Sequence, residues 1–163
     1  MIRDVVEADT PALLALNAES ERFLSPLDTS RLRWLLGMAA YQRVIDLGGG
    51  AIAFLLALRE GAAYDSPNYR WFAARYSRFL YVDRIVVAAA EQGKHLGAAL
   101  YDDLFAVAKN AGIATITCEF DIDPPNEASR RFHARYGFRE VGTQWLGGGK
   151  KQVSLQEAAG LRP

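Results

Sequence analysis

A chain of 163 residues, 50% hydrophobic and 11% aromatic, holds one compact domain with a true core and not two well-packed ones. Lys plus Arg and Asp plus Glu balance at 19 each, so no general field draws the chain to nucleic acid or to an anionic membrane surface. The single cysteine, Cys118, excludes an internal disulfide; its Thr-Ile-Thr-Cys-Glu-Phe setting marks it as a small buried strand residue. The opening Met1-Ile2-Arg3-Asp4 lacks the basic-then-apolar layout of a signal peptide, and the apolar run 51–58 is short for a membrane span, so a cytoplasmic protein is expected.

Residues 2–6 read as a short opening strand. Thr10-Pro11 starts a helix, with Thr10 as cap and Pro11 at the first helical position, where its missing N–H costs nothing. Residues 25–28 break it, and Asp28 or Ser30 caps a second helix with the stripe Leu32, Leu35, Leu36 and Ala39. Residues 42–47, the Gly48-Gly49-Gly50 triplet and residues 51–58 read as a hairpin whose second arm, apolar on both faces, suits a covered central strand. Residues 60–78 are polar and aromatic, with a short helix around 68–76. They form either an insertion covering the core or a wall of an acceptor pocket.

Residues 79–87, rich in β-branched and aromatic side chains, form the next strand. A loop then leads to a helix running to about Ala111, with Leu100, Leu104, Val107 and Ala111 on one side and Gly112 as terminator. A strand at 115–120, a helix at 126–136 with the stripe Ala128, Phe132 and Tyr136, a strand at 138–145 and a last strand at 150–155 complete an α/β chain built on a mixed sheet.

The informative segment runs from the strand end Ile85-Val86-Val87 to Gln92-Gly93-Lys94-His95-Leu96-Gly97-Ala98. A helix opening here aims main-chain N–H groups and the positive end of its dipole at the loop, and glycines let the main chain approach an anion such as a pyrophosphate. The segment has neither the Lys-Ser/Thr of a nucleotide-triphosphate loop nor the three-glycine dinucleotide fingerprint.

Residues 92–97 resemble the Gln/Arg-x-x-Gly-x-Gly/Ala signature of the Gcn5-related N-acetyltransferase (GNAT) superfamily. The stretch from Asn126 to Gly137-Phe138 is similar to that family's Asn-to-Gly-Phe helix and strand, and Gly50 to Leu55 to its early hairpin. The resemblance implies one N-acetyltransferase domain over 1–163, with core motifs at 79–146. It also implies a mixed, mostly antiparallel sheet with a V-shaped splay between strands four and five, flanked by helices. The acyl donor would be acetyl-CoA, with no metal; two isolated histidines also lack a metal-site spacing. Main-chain groups at Ile85, Val86 and Val87 would meet the pantetheine arm. Gln92, Gly93, Lys94, His95, Leu96, Gly97 and Ala98 would hold the pyrophosphate, and Asn126 would contact the arm or cap its helix. The acceptor would be an amine of a small molecule or peptide, met by Glu21, Phe23 and Tyr81. Nucleic acid and membrane are not expected partners, and a homodimer is allowed.

Two residues depart from the family pattern. His95 stands where glycine is usual, and a positive φ there would strain it. His133 stands where many relatives place a tyrosine that protonates the departing thiolate. Acyl transfer needs a neutral amine, a stabilised oxyanion and a protonated leaving group. A lysine-like amine with pKa near 10.4 starts roughly 4–5 kcal/mol from neutral at pH 7. Asp83 and Glu119 are the candidate bases, with an ion pair to Arg84 as the alternative for Asp83, and a strand N–H near Val87 the candidate oxyanion donor. His133 is the candidate acid, and Tyr136 its aromatic alternative. The same two departures motivate a second reading, an acyl-CoA-binding regulatory module without catalysis.

Overall fold

The computed structural model describes residues 1–161; Arg162 and Pro163, the end of the expected domain, lie outside the described residues. Seven strands follow the order β1-β2-β3-β4-β5-β7-β6, with helices in the connections. The described residues form two compact units, 1–58 with 82–107, and 59–81 with 108 onward.

In the first unit β1 (Ile2–Asp4) and β2 (Tyr41–Asp46) pair antiparallel, as do β2 and β3 (Ala51–Arg59). The hairpin turn is drawn tight by the Asp46 carboxylate, whose Oδ1 accepts the amides of Gly48 at 2.7 Å and Gly50 at 3.1 Å. Two helices precede the hairpin: α1 (Thr10–Glu19) and α2 (Thr29–Met38). Asp28, one of the two expected caps, caps α2 by accepting the Arg31 amide at 2.7 Å. At α1 the cap falls one residue earlier than expected, on Asp9. That carboxylate is buried and accepts the Arg3 guanidinium and the Val6 amide, so the local network, not the Thr10 hydroxyl, sets the helix start. The core joins Leu13 and Leu16 of α1, Leu32 of α2, Val44 of β2, Phe54 and Leu56 of β3, and Val86. Burying such side chains contributes roughly 1.5–3 kcal/mol each.

Strand β4 (Leu80–Val87) enters both units, and helix α4 (Leu96–Asn110) follows it. Along α4 the buried residues are Leu100, Tyr101, Leu104 and Ala108, whereas Val107 is half-buried and Ala111 exposed. The buried arc is therefore rotated from the expected one, because Tyr101 spends its ring inside. The Gly112 end is as expected: φ is +68°, its amide donates to the Lys109 carbonyl, and the Ile113 amide to that of Ala108.

In the second unit β5 (Thr115–Asp123) pairs antiparallel with β7 (Lys151–Ala159), which pairs antiparallel with β6 (Arg139–Leu146). The first residues of β4 add a parallel ladder of two pairs, Leu80↔Ile116 and Tyr81↔Thr117. Alternation puts Thr117, Glu119 and Asp121 on one face of β5, and Ile116, Cys118 and Phe120 on the other. Helix α3 (Pro67–Ala73), capped by Ser66, covers the first face: Tyr69 and Phe72 are buried, with ring centroids 5.5 and 5.9 Å from Tyr81. Residues 60–78 thus take the covering role, one of the two expected. Helix α5 (Glu127–Arg135) covers the other face through His133, whose ring lies 5.7 Å from Phe120. Cys118 is buried, and burial pushes its thiol well above the ordinary range.

Gly142 of β6 lies beneath the Trp71 indole. A Cβ there would stand 2.5 Å from its Cζ2, and Arg75 stacks on the same ring at 3.8 Å. Gly142→Ala should therefore lower stability by about 1–3 kcal/mol through overpacking. A drop in the urea unfolding midpoint at constant m-value checks it.

Candidate active site

The first unit carries the turn between β4 and α4. A one-turn 3₁₀ helix (Ala89–Glu91) follows β4, and residues 92–95 are exposed. Gly93 has φ +82° and His95 φ +61°, so the positive φ anticipated at His95 is present. The Ala99 amide bonds back to the His95 carbonyl at 3.0 Å, which makes His95 the residue on which α4 begins. The amides at the head of this 15-residue helix sit at its positive end. A Cβ on Gly93 would meet nothing within 4 Å, so the main chain there is open to approach. Lys94 is exposed and pairs with Glu91 at 2.7 Å, a surface bridge worth little. On β4, Val86 is buried, and Ile85 and Val87 are half-buried.

Asp83 and Arg84 form the ion pair that was the alternative to a basic role. Nε of Arg84 donates to Oδ2 of Asp83 at 2.6 Å, and the two side chains are 4% and 3% exposed. Glu21 and Phe23 lie in the turn after α1; Glu21 is exposed, and the Arg22 guanidinium stands 5.2 Å from the Phe23 ring centre. A cleft of about 410 Å³, lined by Tyr41, Arg43 and Val107 among others, contains none of the expected site residues.

In the second unit the Tyr81 hydroxyl lies 2.9 and 2.8 Å from the two carboxylate oxygens of Glu119. Tyr81 is fully buried and Glu119 half-buried. Asp121, on the same strand face and unremarked in the sequence, is buried. Burial raises its pKa while Lys151, 3.1 Å away, opposes the rise. The signal for it was available: in β5 every second residue from 117 to 121 is polar. Asn126 caps α5 by accepting the Ser129 amide at 3.2 Å.

His133 is the buried residue of α5, whereas Ala128 is exposed and Phe132 and Tyr136 are half-buried, so the expected stripe is displaced. Its ring sits among Phe120, Phe132 and Phe138. Nδ1 lies 2.7 Å from the Ser129 carbonyl, an acceptor only, so Nδ1 carries the proton and donates it there. Desolvation lowers the His133 pKa to about 4, partly opposed by that bond. At neutral pH the ring is uncharged, which weighs against the acid role. Among the described residues, no group of three or more His, Cys, Asp or Glu could hold a metal ion, and no helix is long and apolar enough to cross a membrane.

Residues 13–138 match the model of the acetyltransferase (GNAT) family, and the chain belongs to that family. Its fold is shared with solved structures of low identity. The ribosomal-protein-S18-alanine N-acetyltransferase from Escherichia coli is 17% identical, with TM-score 0.74 over 100% of this chain and 95% of that one. Ard1 from Thermoplasma volcanium is 13% identical, with TM-score 0.79 over 98% and 96%. yncA from Salmonella typhimurium, solved with its cofactor acetyl-CoA, is 21% identical, with TM-score 0.71 over 100% and 94%. No curated protein sequence matches.

Two outcomes follow. Because the folded pKa of His133 lies below the ordinary 6.5, its contribution is complete above pH 6.5 and is lost as pH falls toward 4. The loss amounts to about 3 kcal/mol. Urea midpoints measured from pH 7 to 4 should fall less steeply in His133→Asn than in the parent. His95→Gly should stabilise the fold by up to about 1 kcal/mol, since relief of left-handed strain is partly offset by glycine's freedom in the unfolded chain. Thermal unfolding checks it.

Proposed function

We propose that the protein is an N-acetyltransferase that moves an acetyl group from acetyl-CoA to a primary amine of a small molecule or peptide by direct attack. The observation that carries this is the turn at 92–98 within the family match: open main chain at Gly93, a left-handed residue at His95, and a long helix beginning at once. That is the arrangement which grips a diphosphate. A yncA structure holding acetyl-CoA supports the same donor.

In this reading residues 92–98 hold the pyrophosphate and main-chain groups of Ile85, Val86 and Val87 meet the pantetheine arm. Asn126, already a helix cap, is a further contact. Acetyl-CoA supplies an acyl group on a thioester, which an amine can displace once it has lost its extra proton. Glu119 is the preferred base, because Tyr81 fixes both of its oxygens, whereas Asp83 serves as counter-ion to Arg84. An N–H near Val87 answers the developing oxyanion. Attack forms the C–N bond and breaks the C–S bond, and the proton shed by the acylated nitrogen balances the thiolate. His133, neutral in its aromatic setting, is not needed as the acid. Glu21 and Phe23 are assigned to the acceptor side. The inactive-module reading has nothing further in its favour.

Calorimetry with coenzyme A, followed by release of coenzyme A from acetyl-CoA over a panel of spermidine, tyramine, amino acids and peptides with a free N-terminus, tests the proposal. Gly93→Val should weaken coenzyme A binding at least about tenfold by closing the open main chain. Glu119→Gln should lower kcat by about 10²-fold or more with binding unchanged. Absence of any association with coenzyme A would refute the reading.

A further inference from the structure

Arg84 is the buried cation of the first unit, and its bonds reach far along the chain. Besides Asp83, Nη1 donates to Oδ1 of Asn17 at 2.8 Å and to the Ser25 carbonyl at 3.3 Å, and Nη2 reaches the Ser25 hydroxyl at 3.3 Å. Asn17, itself 1% exposed, donates from Nδ2 to the same Ser25 carbonyl at 3.1 Å. Two residues on, Glu19 accepts the Ala89 amide at 2.9 Å, just beyond the end of β4. The end of α1 and the turn that follows are therefore attached to β4 and its exit.

Residues 21–28 belong to no helix or strand; Leu24 and Leu27 are partly buried against the core of the first unit, and Leu32 and Leu35 bury fully once α2 begins. Main-chain bonds to the Ser20 carbonyl from Phe23 and Leu24 shape the start of the turn, and the Arg84 fork holds its far side at Ser25. A desolvated guanidinium is an expensive way to fasten a loop. Leu24 and Leu27 fasten it by packing, but apolar contact is non-directional and fixes no register, whereas a planar fork with donors in set directions fixes one. Strand β4 continues from Arg84 into Ile85, Val86 and Val87.

We propose that Arg84 is a positioning residue that holds the turn bearing Glu21 and Phe23 in register with β4, and so sets the affinity for the acceptor amine but not for coenzyme A. The inference rests on the acetyltransferase reading and adds a residue to its acceptor side. Arg84 touches neither reacting group; it acts through Asn17 and Ser25. Asp83 balances the buried charge of the guanidinium and orients it, which accounts for an acid in the middle of β4.

The test uses the full chain and whichever amine of the panel above the parent acetylates fastest. Arg84→Lys keeps the charge beside Asp83 and loses the fork; Asn17→Ala removes the shared acceptor and donor. Both should raise the acceptor KM by about tenfold, with kcat within about threefold and the calorimetric Kd for coenzyme A within about twofold. Hydrogen exchange of the amides at 20–28 should quicken in both variants while those of β2 and β3 keep the parent's protection, a readout that also shows the variants are folded. An unchanged acceptor KM overturns the proposal, as does a coenzyme A Kd weakened in proportion, which would mark Arg84 as merely structural. A parent that binds coenzyme A and acetylates no amine overturns this inference and the enzyme reading together. A parent that binds none fails at the earlier step.

Discussion

Between Val87, where β4 ends, and Leu96, where α4 begins, the main chain places two residues at positive φ, and one of them is a histidine. That conformation costs an ordinary side chain roughly 1–2 kcal/mol, so it persists only where the surroundings impose it. Here the turn is held by the 3₁₀ helix on one side and, on the other, by the His95 carbonyl, which accepts the Ala99 amide. The head of a long helix is thereby delivered to an open stretch of backbone. Relaxing the turn would fray the helix start and close the main chain that an anion would meet. The functional reading leans on this segment more than on any side chain.

The charged groups of the first unit gain a consistent role once Asp83 is read with Arg84. An aspartate on a strand among apolar neighbours invites a catalytic interpretation, but a carboxylate 2.6 Å from a guanidinium, both out of water, is committed elsewhere. In the second unit Glu119 meets a neutral hydroxyl, Tyr81, so the carboxylate is oriented without being neutralised by that partner. The adjacent Arg84 already offered Asp83 an ion pair in the sequence, and the structure makes it.

Features governed by near neighbours were legible. Asp28 as a cap, Gly112 as a stop, the hairpin about the glycine triplet and the glycine-containing turn before α4 all follow from a few adjacent residues, and the structure places them as read. The motif spacing from residue 42 to 146 was enough for the family. Features governed by distant contacts were not. Beyond the adjacent Asp83, Arg84 bonds to Ser25 and Asn17, 59 and 67 residues away. The buried arc of α5 is set by Phe120 and Phe138, so His133 turns inward while the more apolar Phe132 stays half-buried. On a helix of nine residues the hydrophobic count has too few positions to fix an orientation. Strand ends were underestimated for the same reason: β5 and β7 extend each other through pairing over eight positions, which neither segment reveals alone.

The solitary cysteine has a practical bearing. Its sulfur lies on the α5-facing side of β5, 2% exposed, and burial holds it as the unreactive protonated form. Colorimetric sulfhydryl reagents added to the native protein will therefore read whatever leaves the donor and pass over the polypeptide. Any slow background labelling measures instead how often the sheet of the second unit opens to solvent, giving a built-in clock for its local unfolding without an introduced probe.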